Sequence, residues 1–157
     1  MCIAILNQQH ELSQETIFNS WQNNPQGGGL LFVNKNTNQL QSFKTYELNQ
    51  FYKAYLELLD VAKNGVMILH FRIATQGHKT IDNLHPFINE KGGLGFVHNG
   101  IIGKYSYGQY MWSRKSDTAH FNDEVVSKLD GEFIYDEDLK SRMSKFVGGY
   151  NKLIFMN

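Results

Sequence analysis

The chain is poor in cysteine and proline. Its 157 residues include one cysteine, Cys2, and two prolines. A single cysteine excludes an intramolecular disulfide and a metal site built from several cysteines, and it favours a reducing compartment. No hydrophobic run is long enough to span a membrane, and the N-terminus lacks the basic start and apolar core of a signal peptide. We therefore expect a cytoplasmic protein without a membrane anchor.

The charges of the chain cancel, because 15 lysines and arginines stand against 15 aspartates and glutamates. There is no basic block or tail, so a nucleic-acid partner has no electrostatic support. A length of 157 residues is typical of one domain with a substantial core. We expect a single domain over residues 1–157.

Hydrophobic patterning predicts short strands mixed with helices. Apolar, β-branched runs favour strands near residues 2–6, 30–33, 40–45, 66–72, 94–97 and 152–155. Helical spacing favours helices near residues 14–23, 46–62, 117–129 and 136–146. The glycine-rich residues 24–29 are expected to form a loop, and Asn64-Gly65 to end the second helix. Paired strands between helices indicate layers of the α+β class rather than a doubly wound parallel sheet.

Cys2 would become the first residue of the chain if the initiator methionine were removed. Its thiol could then attack a substrate while its own α-amine, with a reference pKa of about 7.7–8, takes up the proton. On position alone, Cys2 is better explained as a small apolar residue that opens a buried strand.

Three further segments place polar groups at the ends of strands or helices. Arg72 ends an apolar strand, where its guanidinium could bind a carboxylate or form an ordinary surface ion pair. Asn99 and Gly100 offer the two donors of an oxyanion hole, although the same dipeptide also favours a type I′ hairpin turn. Asp117 follows Ser116 at a helix start, where it could bind an ammonium group or only favour the helix dipole.

Taken in order, five segments resemble the glutaminase domain of class II glutamine amidotransferases, a branch of the N-terminal nucleophile hydrolases. They are Cys2 with its apolar strand, His70–Gly77 (His-x-Arg-x-Ala-Thr-x-Gly), Asn83–Pro86 (Asn-x-His-Pro), His98–Ile102 (His-Asn-Gly and two apolar residues) and Ser116–Thr118. The compact form is similar to small stand-alone or phage-type members. The resemblance implies a four-layer αββα sandwich. Since complete domains of the family continue into further strands, it also implies that the second sheet could be incomplete.

The resemblance implies a role for each matching residue. Cys2 is the implied nucleophile with its α-amine as base, and Asn99 and Gly100 are the implied oxyanion hole. The implied binding residues for glutamine are Arg72 for the α-carboxylate, Asp117 for the α-ammonium, and Thr75 and Gln76 at the same end of the pocket. The histidines His70, His85 and His98 are expected to be mainly structural, and neither a metal nor a cofactor is implied.

The implied reaction is hydrolysis of the side-chain amide of glutamine to glutamate and ammonia, through a thioester on Cys2. The chain would act as a stand-alone glutaminase or as a subunit that supplies ammonia to a partner synthase. Two alternatives stay open. One is an amidohydrolase that cleaves a γ-glutamyl amide in a larger metabolite, and the other is a non-catalytic binding module that retains Met1. Two residues depart from the family pattern, Gln76 where many members carry His and Gln26 where small members often carry Asp.

Overall fold

The computed structural model describes residues 1–8 and 10–157. This part of the chain contains four α-helices and seven strands in two antiparallel sheets. The strands are β1 (Ile3–Gln8), β2 (Gly28–Asn34), β3 (Gln39–Thr45), β4 (Ala62–Phe71), β5 (Phe87–Asn89), β6 (Leu94–Asn99) and β7 (Lys152–Met156). The helices are α1 (Gln14–Asn23), α2 (Leu48–Leu59), α3 (Asp117–Glu124) and α4 (Glu137–Val147).

The first sheet has the strand order β1-β4-β2-β3, and the second has the order β5-β6-β7. Strand β4 is antiparallel to both of its neighbours, and its last residue, Phe71, pairs with Ile3 of β1 and with Gly28 of β2. The end of β4 therefore lies between the start of β1 and the start of β2. This register brings Cys2, the glycine-rich segment and Arg72 to one end of the sheet.

Three clusters of buried apolar side chains fill the spaces between the layers of the molecule. The outer face of the first sheet packs on α1 and α2 through residues such as Trp21, Phe51 and Leu69. The two sheets face each other across Leu31, Ile68 and Val97. The outer face of the second sheet packs on α3 and α4 through Phe96, Phe121 and Met143. The order helix, sheet, sheet, helix is a sandwich of the α+β class.

Two serines begin helices as their position in the sequence predicts. Oγ of Ser13 accepts a hydrogen bond from the Thr16 N–H at 3.2 Å, and Oγ of Ser116 accepts one from the Ala119 N–H at 3.1 Å. Each bond satisfies a backbone donor that the first turn of a helix leaves free. Ser116 thereby fixes the start of α3, where Asp117 lies. No helix in the described part of the chain combines the length and apolar character that a membrane span requires.

The prediction of a loop over residues 24–29 is wrong at its end, because Gly28 and Gly29 belong to β2. A Cβ atom on Gly29 would lie 2.1 Å from the carbonyl oxygen of His85, and one on Gly28 would lie 2.9 Å from that of His70. The glycines are thus required by the close approach of other backbone segments to the strand, and not by a turn.

Other boundaries also differ from the sequence prediction, and helix α3 ends at Glu124 rather than near residue 129. Helix α2 ends at Leu59, and Asn64 and Gly65 lie inside β4 with φ angles of 57° and 65°. Phe32 of β2 pairs with Met67 but Asn34 pairs with Ala62, so β4 bulges between them, and residues tolerant of positive φ accommodate the bulge. Strand β5, which is absent from the predicted strands, has only three residues and pairs with β6.

Candidate active site

Cys2 lies at the start of β1, and its sulfur faces the backbone that follows β4. The Ile73 N–H donates to Sγ at 3.4 Å, and the thiol lies 3.5 Å from the carbonyl oxygen of the same residue. Burial raises the pKa of the Cys2 thiol, while the Ile73 N–H, the Arg72 guanidinium and the N-terminal amine lower it. Met1 is 93% exposed, so its removal would break no packed contact.

Arg72 follows β4 and is 4% exposed. Its Nη2 donates to the carbonyl oxygen of Gln76 at 2.9 Å, and the side chain forms no ion pair with any acidic residue in the described part of the chain. The interpretation of Arg72 as a surface ion pair is therefore wrong. The pKa of Arg72 is lowered by burial, and this shift is opposed by Cys2, Tyr46 and Asp117. A buried guanidinium with unused N–H groups is suited to bind a carboxylate.

Asn99 and Gly100 lie at the end of β6, next to the cysteine. Nδ2 of Asn99 donates to the carbonyl oxygen of Cys2 at 2.9 Å. Gly100 has a φ of 139°, which strongly favours glycine. The two residues do not form a hairpin turn, because the chain continues from Gly100 to α3, and β7, which pairs with β6, comes only at residues 152–156.

Asp117 is the first residue of α3 and is 6% exposed. Its Oδ2 accepts a hydrogen bond from the Ile102 N–H at 2.7 Å, and its Oδ1 accepts one from the Thr118 N–H at 2.8 Å. These bonds fix the positions of both oxygens of the carboxyl group. Asp117 therefore does more than complement a helix dipole, since it ties the segment after Gly100 to α3.

Thr75 and Gln76 lie in the irregular segment after β4. Thr75 is exposed, whereas the side chain of Gln76 crosses to a neighbouring loop, where its Nε2 donates to the carbonyl oxygen of Ser106 at 2.8 Å. The backbone oxygen of Gln76 accepts a hydrogen bond from the Arg72 guanidinium. Gln76 thus positions Arg72 and links two loops with its amide.

Six of the seven residues that the sequence analysis selected line one cleft. They are Cys2, Arg72, Thr75, Gln76, Gly100 and Asp117. The space in the cleft, including the part open to solvent, is about 300 Å³. Asn99 is not among the lining residues, but its amide contacts Cys2 as described. The cleft is thus built where β1, β4, β6 and α3 begin or end.

A larger groove, with about 1430 Å³ of space including the part open to solvent, lies at the opposite end of the sheets. It is bordered by the end of β2, the start of β3 and the start of β4, at Val33, Leu40 and Lys63. None of the described residues that line it is a cysteine, histidine or arginine. Its size therefore does not make it a better candidate for the reactive chemistry than the cleft at Cys2.

Three buried histidines lie at the cleft, and two of them, His85 and His98, are among its lining residues. Nε2 of His70 lies 3.2 Å from the carbonyl oxygen of His98 and 2.8 Å from Nδ1 of His85. Burial lowers the pKa of all three, that of His70 to about 3, so they are neutral near pH 7. Nε2 of His85 is the one ring nitrogen of this cluster without a hydrogen-bond partner among the described residues. In the same part of the chain, no group of three or more potential ligands is placed to hold a metal ion.

Two residues with contacts to the site were not selected as site residues from the sequence. Asn151, just before β7, places its Oδ1 2.7 Å from Nε2 of His98 and against Gly100. Gln26 accepts a hydrogen bond from the Ala74 N–H through its Oε1. Both side chains form hydrogen bonds to groups far away in the sequence, the side chain of His98 for Asn151 and the backbone of Ala74 for Gln26. The departure of Gln26 from the family pattern was the one signal that could have drawn attention to it.

Comparison with known proteins shows similarity to enzymes named glutamine–fructose-6-phosphate aminotransferase (isomerizing). The protein of Helicobacter pylori (strain J99) is 34% identical over 107 residues, which are 66% of this chain and 17% of that protein. The protein of Aquifex aeolicus (strain VF5) is 36% identical over 89 residues, which are 55% of this chain and 14% of that protein. The protein of Streptococcus pyogenes serotype M1 is 32% identical over 99 residues, which are 59% of this chain and 16% of that protein.

No family model matches the chain. The matched segment spans 17% or less of the length of these relatives. The similarity therefore concerns a small part of each relative, and the activity named for the whole relative does not transfer with it.

Proposed function

We propose that this chain is a glutaminase domain of the class II, N-terminal nucleophile type. In this proposal Met1 is removed, and the Cys2 thiol attacks the side-chain amide of glutamine. The observation that carries the proposal is the meeting, in one cleft, of Cys2 with a buried guanidinium and a buried carboxylate, Arg72 and Asp117. The similarity to enzymes whose names include glutamine supports the same substrate.

Binding would be divided between the two buried charges. The guanidinium of Arg72 would hold the α-carboxylate of glutamine, and Asp117 would hold its α-ammonium group. Thr75 and Gln76 would border the same end of the cleft. An amino acid held at both of its charged groups would present its side chain to Cys2, so that the reacting atoms start close together.

The reaction would proceed in two steps. The α-amine of Cys2 takes the thiol proton, and the thiolate adds to the amide carbon. The Asn99 side chain and the Gly100 N–H stabilise the negative oxygen of the tetrahedral intermediate. The intermediate collapses with loss of ammonia, which leaves with the proton held by the α-amine. Water then cleaves the γ-glutamyl thioester, which releases glutamate and restores the thiol.

Two features extend the proposal beyond the cleft. A thiol nucleophile is compatible with a reducing compartment, which supports a cytoplasmic location. The relatives are named as aminotransferases, so we propose that the ammonia is passed to a partner synthase.

The test is turnover of glutamine by the protein after its intact mass has been measured. We expect a mass that lacks Met1 and release of ammonia from glutamine, and we expect Cys2→Ala to reduce ammonia release to background. Thermal unfolding of Cys2→Ala serves as the control for folding. A retained Met1 with binding but no turnover of glutamine would show a binding module, and turnover of γ-glutamyl conjugates alone would show the other amidohydrolase.

A further inference from the structure

Gln26 lies where the backbone hydrogen bonds between β2 and β4 end. The ladder continues past the Gly28–Phe71 pair through two more bonds, from the Arg72 N–H to the Gly27 oxygen at 2.8 Å and from the Gln26 N–H to the Arg72 oxygen at 3.1 Å. Gly27, which lies between β2 and Gln26, has a φ of 103°. The backbone before β2 makes no further ladder bond to β4 in the described part of the chain.

The side chain of Gln26 continues the contact where the backbone stops. Its Oε1 accepts a hydrogen bond from the Ala74 N–H, two residues beyond Arg72. Gln26 therefore binds the segment Arg72–Ala74 at two points, through its own N–H and through its side chain. An amide oxygen that replaces a missing ladder partner restrains an otherwise irregular segment.

The opposite side of the same segment faces the thiol. The N–H of Ile73, between the two residues held by Gln26, donates to Sγ of Cys2 at 3.4 Å. A backbone N–H directed at sulfur stabilises the thiolate relative to the thiol. The direction of this N–H depends on the peptide between Arg72 and Ile73 and on the fixed position of Ala74. The bonds from Gln26 therefore also restrain the Ile73 N–H that donates to Cys2.

We propose that Gln26 is a positioning residue that holds the Arg72–Ala74 segment so that the Ile73 N–H points at the sulfur of Cys2 and the Arg72 guanidinium points into the cleft. Gln26 touches neither the thiol nor, in this proposal, the substrate. The inference deepens the proposed function, since it rests on Cys2 as the nucleophile.

The first experiment measures the thiol pKa, from the pH dependence of alkylation by iodoacetamide. The chain has one cysteine, so the alkylation rate reports Cys2 alone. Gln26→Met keeps the length of the side chain and removes the acceptor. We expect the pKa of the thiol to rise by about one unit, which gives about tenfold slower alkylation near neutral pH. Gln22→Met, a matched change at an exposed position, should leave the profile unchanged.

The second experiment measures hydrogen exchange at the Ala74 amide. Gln26→Met should accelerate its exchange at least several-fold, whereas Gln26→Glu, which keeps an acceptor oxygen, should retain the protection of the wild type. A folded Gln26→Met protein with an unchanged thiol pKa, or with Ala74 as protected as in the wild type, would overturn the proposal.

Neither measurement requires glutamine turnover, so the two proposals fail separately. A shifted thiol pKa in a protein that releases no ammonia supports the positioning role and contradicts the glutaminase. Ammonia release together with an unchanged thiol pKa supports the glutaminase and contradicts the positioning role.

Discussion

Gly100 and Asn151 are packed so closely that only glycine fits at position 100. A Cβ atom there would lie 2.3 Å from Oδ1 of Asn151, and the same oxygen lies 2.7 Å from Nε2 of His98. The C-terminal segment thus supports the backbone that is proposed to bind the negative oxygen of the intermediate. A side chain at position 100 would have to displace Asn151 and break its bond to His98.

We predict that Gly100→Ala lowers kcat for glutamine by about 100-fold or more, as expected for loss of an oxyanion donor. The φ of 139° and the contact with Asn151 both oppose a Cβ atom. Gly103→Ala is the matched control, because a Cβ there has no atom within 4 Å. Steady-state ammonia release checks both variants. Equal kcat values for Gly100→Ala and Gly103→Ala would remove Gly100 from the oxyanion hole.

Arg72→Ala should raise KM for glutamine roughly 10- to 100-fold and change kcat much less, because charge-assisted bonds to the carboxylate bind substrate and transition state alike. The measurement compares glutamine with its α-amide, which lacks the carboxylate. The wild type should favour glutamine strongly, and the variant should not. Arg142→Ala, at a side chain that is 73% exposed, should behave as the wild type. A variant that keeps the preference would assign the carboxylate to another group.

Asp117→Asn tests the partner of the ammonium group. The change keeps the size of the side chain but removes the charge, so KM for glutamine should rise while KM for the analogue without the α-amine stays the same. Stability should also fall by about 1–2 kcal/mol, because one of the N–H groups of Ile102 and Thr118 loses its acceptor. Asp123→Asn, on an exposed face of α3, provides the comparison. An equal rise in KM for both substrates would exclude a contact with the amine.

The buried histidines predict that the fold is sensitive to acid. Burial lowers the pKa of His70 to about 3 and lowers the pKa of His85 and His98. In the unfolded chain their pKa is near 6.5, so below this pH the unfolded state binds more protons. The contribution of these histidines to the free energy of unfolding should therefore be constant above about pH 7. It should fall below about pH 6.5, by up to about 1.4 kcal/mol per pH unit for each histidine that stays neutral.

Urea unfolding between pH 5 and pH 8 measures this dependence. His10→Gln, at an exposed histidine, should leave the slope unchanged. A flat profile from pH 8 to pH 5 would mean that the three buried rings are protonated in the folded protein.

Local patterns were enough to predict most of the elements. Helical spacing and the cap at Ser13 correctly predicted where α1 begins and ends. Both signals depend only on residues that are neighbours in the sequence. The local pattern wrongly predicted a loop at Gly28 and Gly29. Glycine is required there because the carbonyl oxygens of His70 and His85 lie too close for a side chain. It also missed β5, because a strand of three residues shows no periodicity. Contacts between distant segments decide such positions.

The same distinction applies to the site. Motifs placed Cys2, Arg72 and Asp117 near strand and helix ends, and the antiparallel register of β1 and β4 explains why the first two meet. The supporting contacts of Gln26 and Asn151 join a side chain to groups 48 and 53 residues away. A single sequence contains no periodicity or spacing that reports a bond of this kind.

The position of Cys2 beside an exposed Met1 has a practical consequence for anyone who purifies this protein. In the proposed mechanism, an affinity tag fused ahead of Met1 would leave the nitrogen of Cys2 in a peptide bond, so a folded protein would release no ammonia. Such a preparation would imitate a protein that merely binds amino acids. A tag at the other terminus, or a protease site that leaves cysteine first, avoids this false negative.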